Sequence, residues 1–312
     1  MKRILTIFII FSLLSVSACT GKDILEETDA NAPVTVEDNR TTVTQTETTV
    51  ITGETSPFTG RAILPPASFT AKDPLNSRGL PTKRIEHSYG VAKDGNPHQI
   101  SVDFQKYFAS TGYKAMCYNT NEKKVLYLTF DCGWENGYTA KCLDILKEKN
   151  VPAAFFCTLD HIKSTPELIA RMIKEGHIIG NHSANHADFS EISRQKMADE
   201  ILECDNYLRE NFGYATTFFR FPEGAYTENA LELVDSMGYT SVFWSCAYAD
   251  WDVNNTKGGD YAFTTVTSRL HPGAIILLHS VSPDNAEALG RIIDYARQNG
   301  YEFKALTDYK FS

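Results

Sequence analysis

Three absences narrow the class of protein to which this chain can belong. It has no cluster of basic residues and a net charge of −9, which argues against nucleic acid as a partner. Its N-terminal apolar run covers only about a dozen residues, and a helix needs about 20 to cross a bilayer core. Its seven cysteines include no Cys-x-x-Cys pair, so their spacing predicts no disulfide connectivity, although an exported protein can form disulfides.

The N-terminus predicts an exported lipoprotein. Lys2 and Arg3 precede the apolar run 4–16, which has the length of a signal-peptide core. Small residues and then Cys19 follow, an order that resembles a bacterial lipobox, in which the cysteine becomes the lipidated first residue. We therefore predict a signal peptide over 1–18 and a lipid anchor that holds the chain on the outer face of the bacterial cytoplasmic membrane. An ordinary signal peptide with a cysteine near its end is the alternative.

The rest of the chain divides by composition. Residues 19–60 contain few large apolar side chains and a threonine-rich stretch at 41–55, so they cannot bury enough surface to offset the entropy of ordering. We predict a disordered tether there. About 250 residues remain, enough for one large domain, which we divide into an N-terminal extension or cap over 61–120 and a body over 121–312. We expect a monomer.

Short apolar strands alternate with helices through the body. The predicted strands cover 125–130, 153–157, 177–180, 217–220, 241–245, 274–278 and 302–305, and the predicted helices cover 138–149, 166–175, 194–211, 229–237, 261–270 and 285–298. This alternation predicts an α/β fold with parallel strands and helices on both faces of the sheet. The alternation favours a closed barrel over an open sheet, but both arrangements are compatible with it.

Reactive side chains lie at or just beyond the ends of five of these strands. They are Asp131, His182, Arg220, Asp250 and His279. In a (β/α) barrel the carboxyl ends of the strands meet at one mouth, where catalytic groups sit. This placement predicts an active site there.

The pair His182-x-x-x-His186 indicates a metal site. If the segment forms the first turn of a helix, both imidazoles share one face and can chelate one ion, whereas in a polar loop they could be unrelated. Asp131 could serve as the base that takes a proton from water, or it could be a turn residue. An arginine beside it would keep it ionised, and an aspartate beside His279 would raise the pKa of that imidazole. Taken alone, each of these two ion pairs could serve only to stabilise the fold.

Together, five motifs between Tyr118 and Leu306 resemble the polysaccharide deacetylase family, also called the NodB homology domain or carbohydrate esterase family 4. They are Thr129-Phe130-Asp131, His182-x-x-x-His186, Arg220-x-Pro222-x-Gly224, Asp250-Trp251 and Leu277-Leu278-His279. The resemblance implies a distorted (β/α) barrel and a metal-dependent deacetylase.

The resemblance also implies roles for individual residues. Asp131 would be the general base and His279 the general acid, while His182 and His186 would bind a divalent metal, usually zinc. Arg220 would orient the base and Asp250 would tune the acid. The remaining expected positions are substrate contacts at Trp251, Leu277 and Glu223, the last through a backbone N–H that helps to stabilise the oxyanion.

The sequence departs from the family pattern at two positions. Cys132 stands where most members have a second aspartate as the third metal ligand. Its thiolate could complete a His₂Cys set for zinc, a water could fill the position, metal binding could be weak, or the thiol could be buried without binding metal. Glu223 stands where an aromatic or basic residue is expected, and its carboxylate would oppose an anionic lactyl group unless it points away.

Further runs resemble one subgroup, the δ-lactam-biosynthetic de-N-acetylases of spore-forming bacteria. They include residues 129–139 and 281–289. The resemblance implies removal of the acetyl group from N-acetylmuramic acid in peptidoglycan, with closure of muramic δ-lactam of the spore cortex as a possible next step. Two alternatives stay open. One is the same reaction on N-acetylglucosamine or another acetylated glycan, and the other is a non-catalytic wall-binding lipoprotein.

Overall fold

The computed structural model of the chain describes residues 53–121 and 123–311. The predicted signal peptide over 1–18, the lipidation site Cys19 and the predicted tether as far as residue 52 lie outside the described residues. Within the described part, no helix is both long enough and apolar enough to cross a membrane.

A curled sheet of eight strands forms the centre of the molecule. Its order is β10-β3-β4-β5-β6-β8-β2, with β9 also paired to β3, and every strand pairing in it is parallel. A separate antiparallel pair joins β1 to β7. The strands are β1 Ile85–Glu86, β2 Ala115–Met116, β3 Val125–Cys132, β4 Ala153–Cys157, β5 Ile178–Asn181, β6 Phe218–Phe219, β7 Ala225–Tyr226, β8 Thr240–Val242, β9 Ala274–His279 and β10 Glu302–Phe303.

The sheet closes only partly into a barrel. Between β8 and β9 the connection is an isolated parallel bridge from Cys246 to Ile276, and an isolated antiparallel bridge joins Tyr118 to Ala274. Regular ladders are replaced there by single contacts, which distorts the barrel. The predicted fold class, a distorted (β/α) barrel, is confirmed.

Helices cover the outside of the curled sheet. They are α1 Gln99–Thr111, α2 Thr139–Lys149, α3 Leu159–Ser164, α4 Pro166–Lys174, α5 Arg194–Phe212, α6 Glu228–Ser236, α7 Gly259–Thr267 and α8 Pro283–Gln298. Several begin where a hydroxyl side chain accepts a backbone N–H, as Ser193 does for α5 and Ser282 for α8. The sequence prediction missed α1 and α3, and α3 has only six residues, too few for a periodic apolar pattern.

Strand β3 is buried along its whole length, and its side chains alternate between two apolar clusters. Leu126, Leu128, Phe130 and Cys132 belong to the cluster beneath the helices α2, α4 and α8. Tyr127 belongs to the other cluster, inside the curl of the sheet. Because successive strand residues point to opposite faces, Asp131 faces the interior of the curl and Cys132 faces the helices.

The described end of the predicted tether is packed against the body. The hydroxyl of Ser56 donates to the carbonyl of Asn211, the hydroxyl of Thr59 donates to the carbonyl of Phe212, and the rings of Phe58 and Phe212 stack at 5.1 Å. These bonds satisfy carbonyls that the end of α5 leaves unpaired. The prediction of a disordered tether is therefore wrong over 53–60.

The segment predicted as a cap is part of the barrel. Its strand β2 pairs with β8, with Ala115 opposite Ser241, and the amide of Phe243 donates to the carbonyl of Met116. Its strand β1 pairs with β7, next to the Arg220–Gly224 motif. The expected boundary near residue 120 does not separate two structural units, because the hydrogen bonds of β2 are made with the sheet itself.

Candidate active site

The carboxylate of Asp131 lies on the inner face at the end of β3 and is held by a buried arginine. Arg220, one residue beyond β6, donates from Nη1 to Oδ1 of Asp131 at 2.6 Å. Its other donors reach the Thr129 hydroxyl at 3.0 Å and the Val242 carbonyl at 2.9 Å, and its guanidinium lies 4.1 Å from the centre of the Phe156 ring. Burial alone would raise the pKa of Asp131, but the guanidinium of Arg220 holds it below its usual value. Asp131 is therefore a buried, oriented carboxylate.

His182, directly after β5, is oriented as a neutral ligand or acceptor. Its Nδ1 lies 2.9 Å from the carbonyl of Arg220, so Nδ1 carries the proton and donates it to that oxygen. Its Nε2 therefore keeps a free lone pair, and it lies 3.7 Å from Oδ2 of Asp131. Burial lowers the pKa of His182 to about 4, so the ring is neutral at neutral pH, the form that binds metals.

His186 reaches the same place through a loop. The two imidazole centres are 4.9 Å apart and nearly perpendicular. Of the two alternatives for this segment, the structure has the loop and not the first turn of a helix, and both Ser183 and His186 have positive φ, at 68° and 54°. Asn181 accepts the amide of Ser183, and Asn185 bonds to Glu200, so side chains rather than helical hydrogen bonds shape the turn.

His279 ends β9 directly opposite Asp131, because the two residues are register partners in the β3–β9 pair. Its Nδ1 donates to Oδ1 of Asp250 at 2.7 Å, and its backbone amide donates to Oδ2 at 2.8 Å. Burial disfavours the imidazolium, but the Asp250 carboxylate outweighs it and raises the pKa of His279 to about 9. The ring is thus protonated at neutral pH, which suits a general acid.

Asn285 and Tyr248 support this pair, and the sequence prediction assigned neither of them a role. The amide of Asn285 donates to Oδ2 of Asp250 and to the carbonyl of His279, and the hydroxyl of Tyr248 donates to Oδ1 of Asn285 at 2.6 Å. In the sequence, Asn285 lies three residues after the Ser282 cap and is indistinguishable from a residue of a first helical turn. Only its hydrogen bonds to Asp250 and to the carbonyl of His279 show its role.

The Arg220–Gly224 motif forms a tight turn at the mouth of the curled sheet. Gly224 has φ 67°, and a Cβ there would lie 2.8 Å from the Trp244 ring, so the position requires glycine. Glu223 has φ 57° and an exposed side chain, whose Oε2 lies 3.5 Å from Nη2 of Arg84. Its carboxylate is therefore directed to the surface, where Arg84 offsets its charge.

Two of the predicted substrate contacts differ in exposure. Trp251, next to Asp250, is 61% exposed and offers an aromatic surface, whereas Leu277 is only 5% exposed within β9. Trp134, which the sequence prediction left without a role, is 48% exposed three residues beyond Asp131. Exposed tryptophans beside catalytic groups are suited to stacking against sugar rings.

The structure groups Cys132 with potential metal ligands other than the two histidines. In the described ranges, one set of three potential metal ligands has all its ligand atoms within 4.8 Å of one another, and it consists of Cys132, Cys157 and His161. The thiol of Cys132 also lies 3.2 Å from the hydroxyl of Ser280. We therefore do not assign Cys132 as the third protein ligand of the metal that His182 and His186 would bind.

The chain is similar in sequence and in structure to known polysaccharide deacetylases. A family profile described as polysaccharide deacetylase matches residues 118–242. The peptidoglycan-N-acetylmuramic acid deacetylase PdaA of Bacillus subtilis is 43% identical over 200 residues, which cover 64% of this chain and 76% of that protein. A peptidoglycan-N-acetylglucosamine deacetylase of Bacillus cereus is 31% identical over 255 residues, 78% of this chain and 88% of that protein. The solved structure of Bacillus subtilis PdaA, described as a family 4 carbohydrate esterase, superposes with a TM-score of 0.71 and 38% identity, covering 74% of this chain and 98% of that one.

Proposed function

Because this chain belongs to the polysaccharide deacetylase family, we propose that it removes the N-acetyl group from N-acetylmuramic acid in peptidoglycan. One arrangement carries the proposal: Asp131 and His279 are register partners, and Arg220 lowers the pKa of the first while Asp250 raises that of the second, which suits one as a base and the other as an acid. The choice of sugar is supported by the 43% identity to an N-acetylmuramic acid deacetylase, against 31% to an N-acetylglucosamine deacetylase.

The proposed reaction is hydrolysis of an amide. Asp131 takes a proton from the attacking water while Arg220 holds the carboxylate in place. The water oxygen adds to the acetyl carbonyl, and the backbone N–H of Glu223 is proposed to donate to the resulting oxyanion. His279 then gives the proton on its Nε2 to the sugar nitrogen as the C–N bond breaks, because its Nδ1 proton is engaged by Asp250. The products are acetate and a free amine.

His182 and His186 would hold a divalent metal, zinc by analogy with the family. The fit rests on the neutral ring of His182, whose Nε2 lone pair is free, and on the neighbouring ring of His186. The metal, when bound, supplies a Lewis acid that polarises the acetyl carbonyl. Water or a substrate atom would complete its coordination.

His182→Ala is expected to lose both bound metal and turnover, because it removes the ligand with the free Nε2. The measurements are metal content by mass spectrometry and the initial rate of acetate release. His177→Ala is the matched control, since His177 is also buried but lies at the start of β5, where its Nδ1 accepts the amide of Ala153. Full activity in a metal-free His182→Ala variant would contradict the assignment.

The alkaline limb of the pH profile is expected to report His279. The acid must be protonated to act, so kcat should fall as the pH rises through its pKa of about 9. Asp250→Asn removes the carboxylate that raises this pKa and should move the limb to lower pH. Asp252→Asn is the control, because that carboxylate accepts the amide of Asn254 instead. An unmoved limb in Asp250→Asn would rule out His279 as the titrating acid.

The substrate is tested by mass spectrometry of peptidoglycan fragments incubated with the chain, with and without prior removal of stem peptides by an amidase. Loss of one acetyl group from muramic acid is the expected result, and a further loss of water would indicate closure of the δ-lactam. Acetyl loss from glucosamine would move the activity to the alternative sugar. No mass change with several metals supplied would favour a non-catalytic wall-binding protein.

We further propose that the chain works outside the cytoplasm as a monomer tethered through lipid on Cys19, with peptidoglycan strands as its partner. Named relatives that act on peptidoglycan support this location. A lipid anchor and a polar stretch before the folded body would let the active site reach the wall, in vegetative cells or during sporulation.

A further inference from the structure

A second group of metal-binding side chains lies on the helix-facing side of the sheet. Cys132 and Cys157 are register partners on the adjacent strands β3 and β4, and His161 lies in the first turn of α3, four residues after Cys157. Their potential ligand atoms all lie within 4.8 Å of one another, and all three residues are completely buried. None of the three has a part in the mechanism proposed above.

His161 is the unusual member of the group. The residue is completely buried, and within the described residues its ring approaches one hydrogen-bonding partner, the backbone of Trp134, so one ring nitrogen is left without a partner. The carboxylate oxygen Oε2 of Glu135 is also buried without a partner, and the charge of Glu135 acts on His161. Buried polar atoms without partners are costly and rare, so a ligand that engages an imidazole nitrogen would account for this one.

The chemistry of the group selects a borderline or soft metal. Two sulfurs and an imidazole are the donors of tetrahedral zinc sites, in which ligand atoms bound at their usual distances lie about 3.3–3.8 Å apart. The ligand atoms here lie within 4.8 Å of one another, and binding a metal would draw them together into that range. Each thiol loses its proton to solvent when its sulfur binds the metal, and water would fill the fourth position.

We propose that Cys132, Cys157 and His161 form a second, thiolate-containing site for a zinc-type divalent metal, on the opposite side of β3 from Asp131. The alternation of β3 separates this site from the two histidines of the catalytic mouth. A metal here would link the end of β3 to β4 and α3. It would thereby support the backbone that positions Asp131, the neighbour of Cys132.

Cobalt is the probe that tests this site, because Co²⁺ bound by thiolates absorbs in the near ultraviolet and Co²⁺ bound by histidine alone does not. The full chain carrying His182→Ala and His186→Ala, reduced and titrated with Co²⁺, is expected to bind one ion with this absorption. Adding Cys157→Ser or His161→Gln should weaken binding at least tenfold. Cys117→Ser is the matched control, since Cys117 is equally buried but its thiol donates to the carbonyl of Ser101.

Three results would overturn the proposal. They are absence of the thiolate absorption in the double-histidine variant, an unchanged affinity for Co²⁺ when Cys157 or His161 is replaced, and a disulfide between Cys132 and Cys157 in the unreduced chain. Circular dichroism checks that each variant is folded, and the double-histidine variant leaves the cluster itself intact. Because the readout is metal binding in a chain without the catalytic histidines, failure of this site is distinguishable from failure of the deacetylase assignment.

Discussion

Replacing Asp131 with asparagine is expected to lower kcat/KM for the acetylated sugar about 10²–10⁴-fold, the usual contribution of a general base, while leaving the bound metal in place. The amide oxygen can still accept from Arg220, so the fold and the arginine should keep their positions. What is lost is the ability to take a proton from water. Acetate release and metal content, measured on the same preparation, separate the two effects.

Asp205→Asn is the matched control for this experiment. Asp205 is also buried, but it pairs with Arg209 within α5, away from the mouth of the barrel. We expect the control to lose some stability and to keep its activity. If Asp131→Asn keeps full activity, Asp131 is not the base and the mechanism needs another proton acceptor.

The second large effect is expected on stability. Arg220→Met would leave the carboxylate of Asp131 buried without its charged partner, which typically costs about 3–5 kcal/mol of unfolding free energy. The pKa of Asp131 would rise toward the value that burial favours, so the base would be neutralised and activity lost as well. Urea unfolding monitored by fluorescence gives the first quantity and acetate release gives the second.

A double variant tests whether the unpaired carboxylate is the cause. Adding Asp131→Asn to Arg220→Met should restore part of the lost stability, since no buried charge then lacks a partner. Arg194→Met is the control, because Arg194 is a buried arginine bonded to Glu232 and Asn229, and its loss should reduce stability without changing kcat. A fully additive double variant would show that Asp131 and Arg220 are not coupled.

The candidate active site is built from strand ends that are far apart in the chain. Asp131 ends β3, His182 follows β5, Arg220 follows β6 and His279 ends β9. Parallel pairing brings these carboxyl ends to one edge, and burial there strengthens each electrostatic contact. Asp131 and His279 can be neighbours yet favour opposite protonation states because each has its own oppositely charged partner, Arg220 for one and Asp250 for the other.

Much of the body follows from local sequence patterns. Strands buried on both faces are continuous apolar runs, so β3, β4 and β9 were predicted nearly to the residue, as was the helix α5. The polar residues that follow such strands stand out against those runs, which is why Asp131, His182, Arg220, Asp250 and His279 could be identified as one site. Their order and spacing then carried the family resemblance.

Long-range packing decided the rest. Ser56 bonds to Asn211, 155 residues away, so composition could not show that residues 53–60 are held in place. Two-residue strands such as β2 carry no periodic pattern and exist because the sheet pairs with them. The sequence by itself determined which residues are apolar, which are reactive and in what order they come. Only the tertiary structure decided that His182 and His186 meet through a loop, that Asn285 holds Asp250, and that Cys132 faces His161, since each depends on contacts between segments distant in the chain.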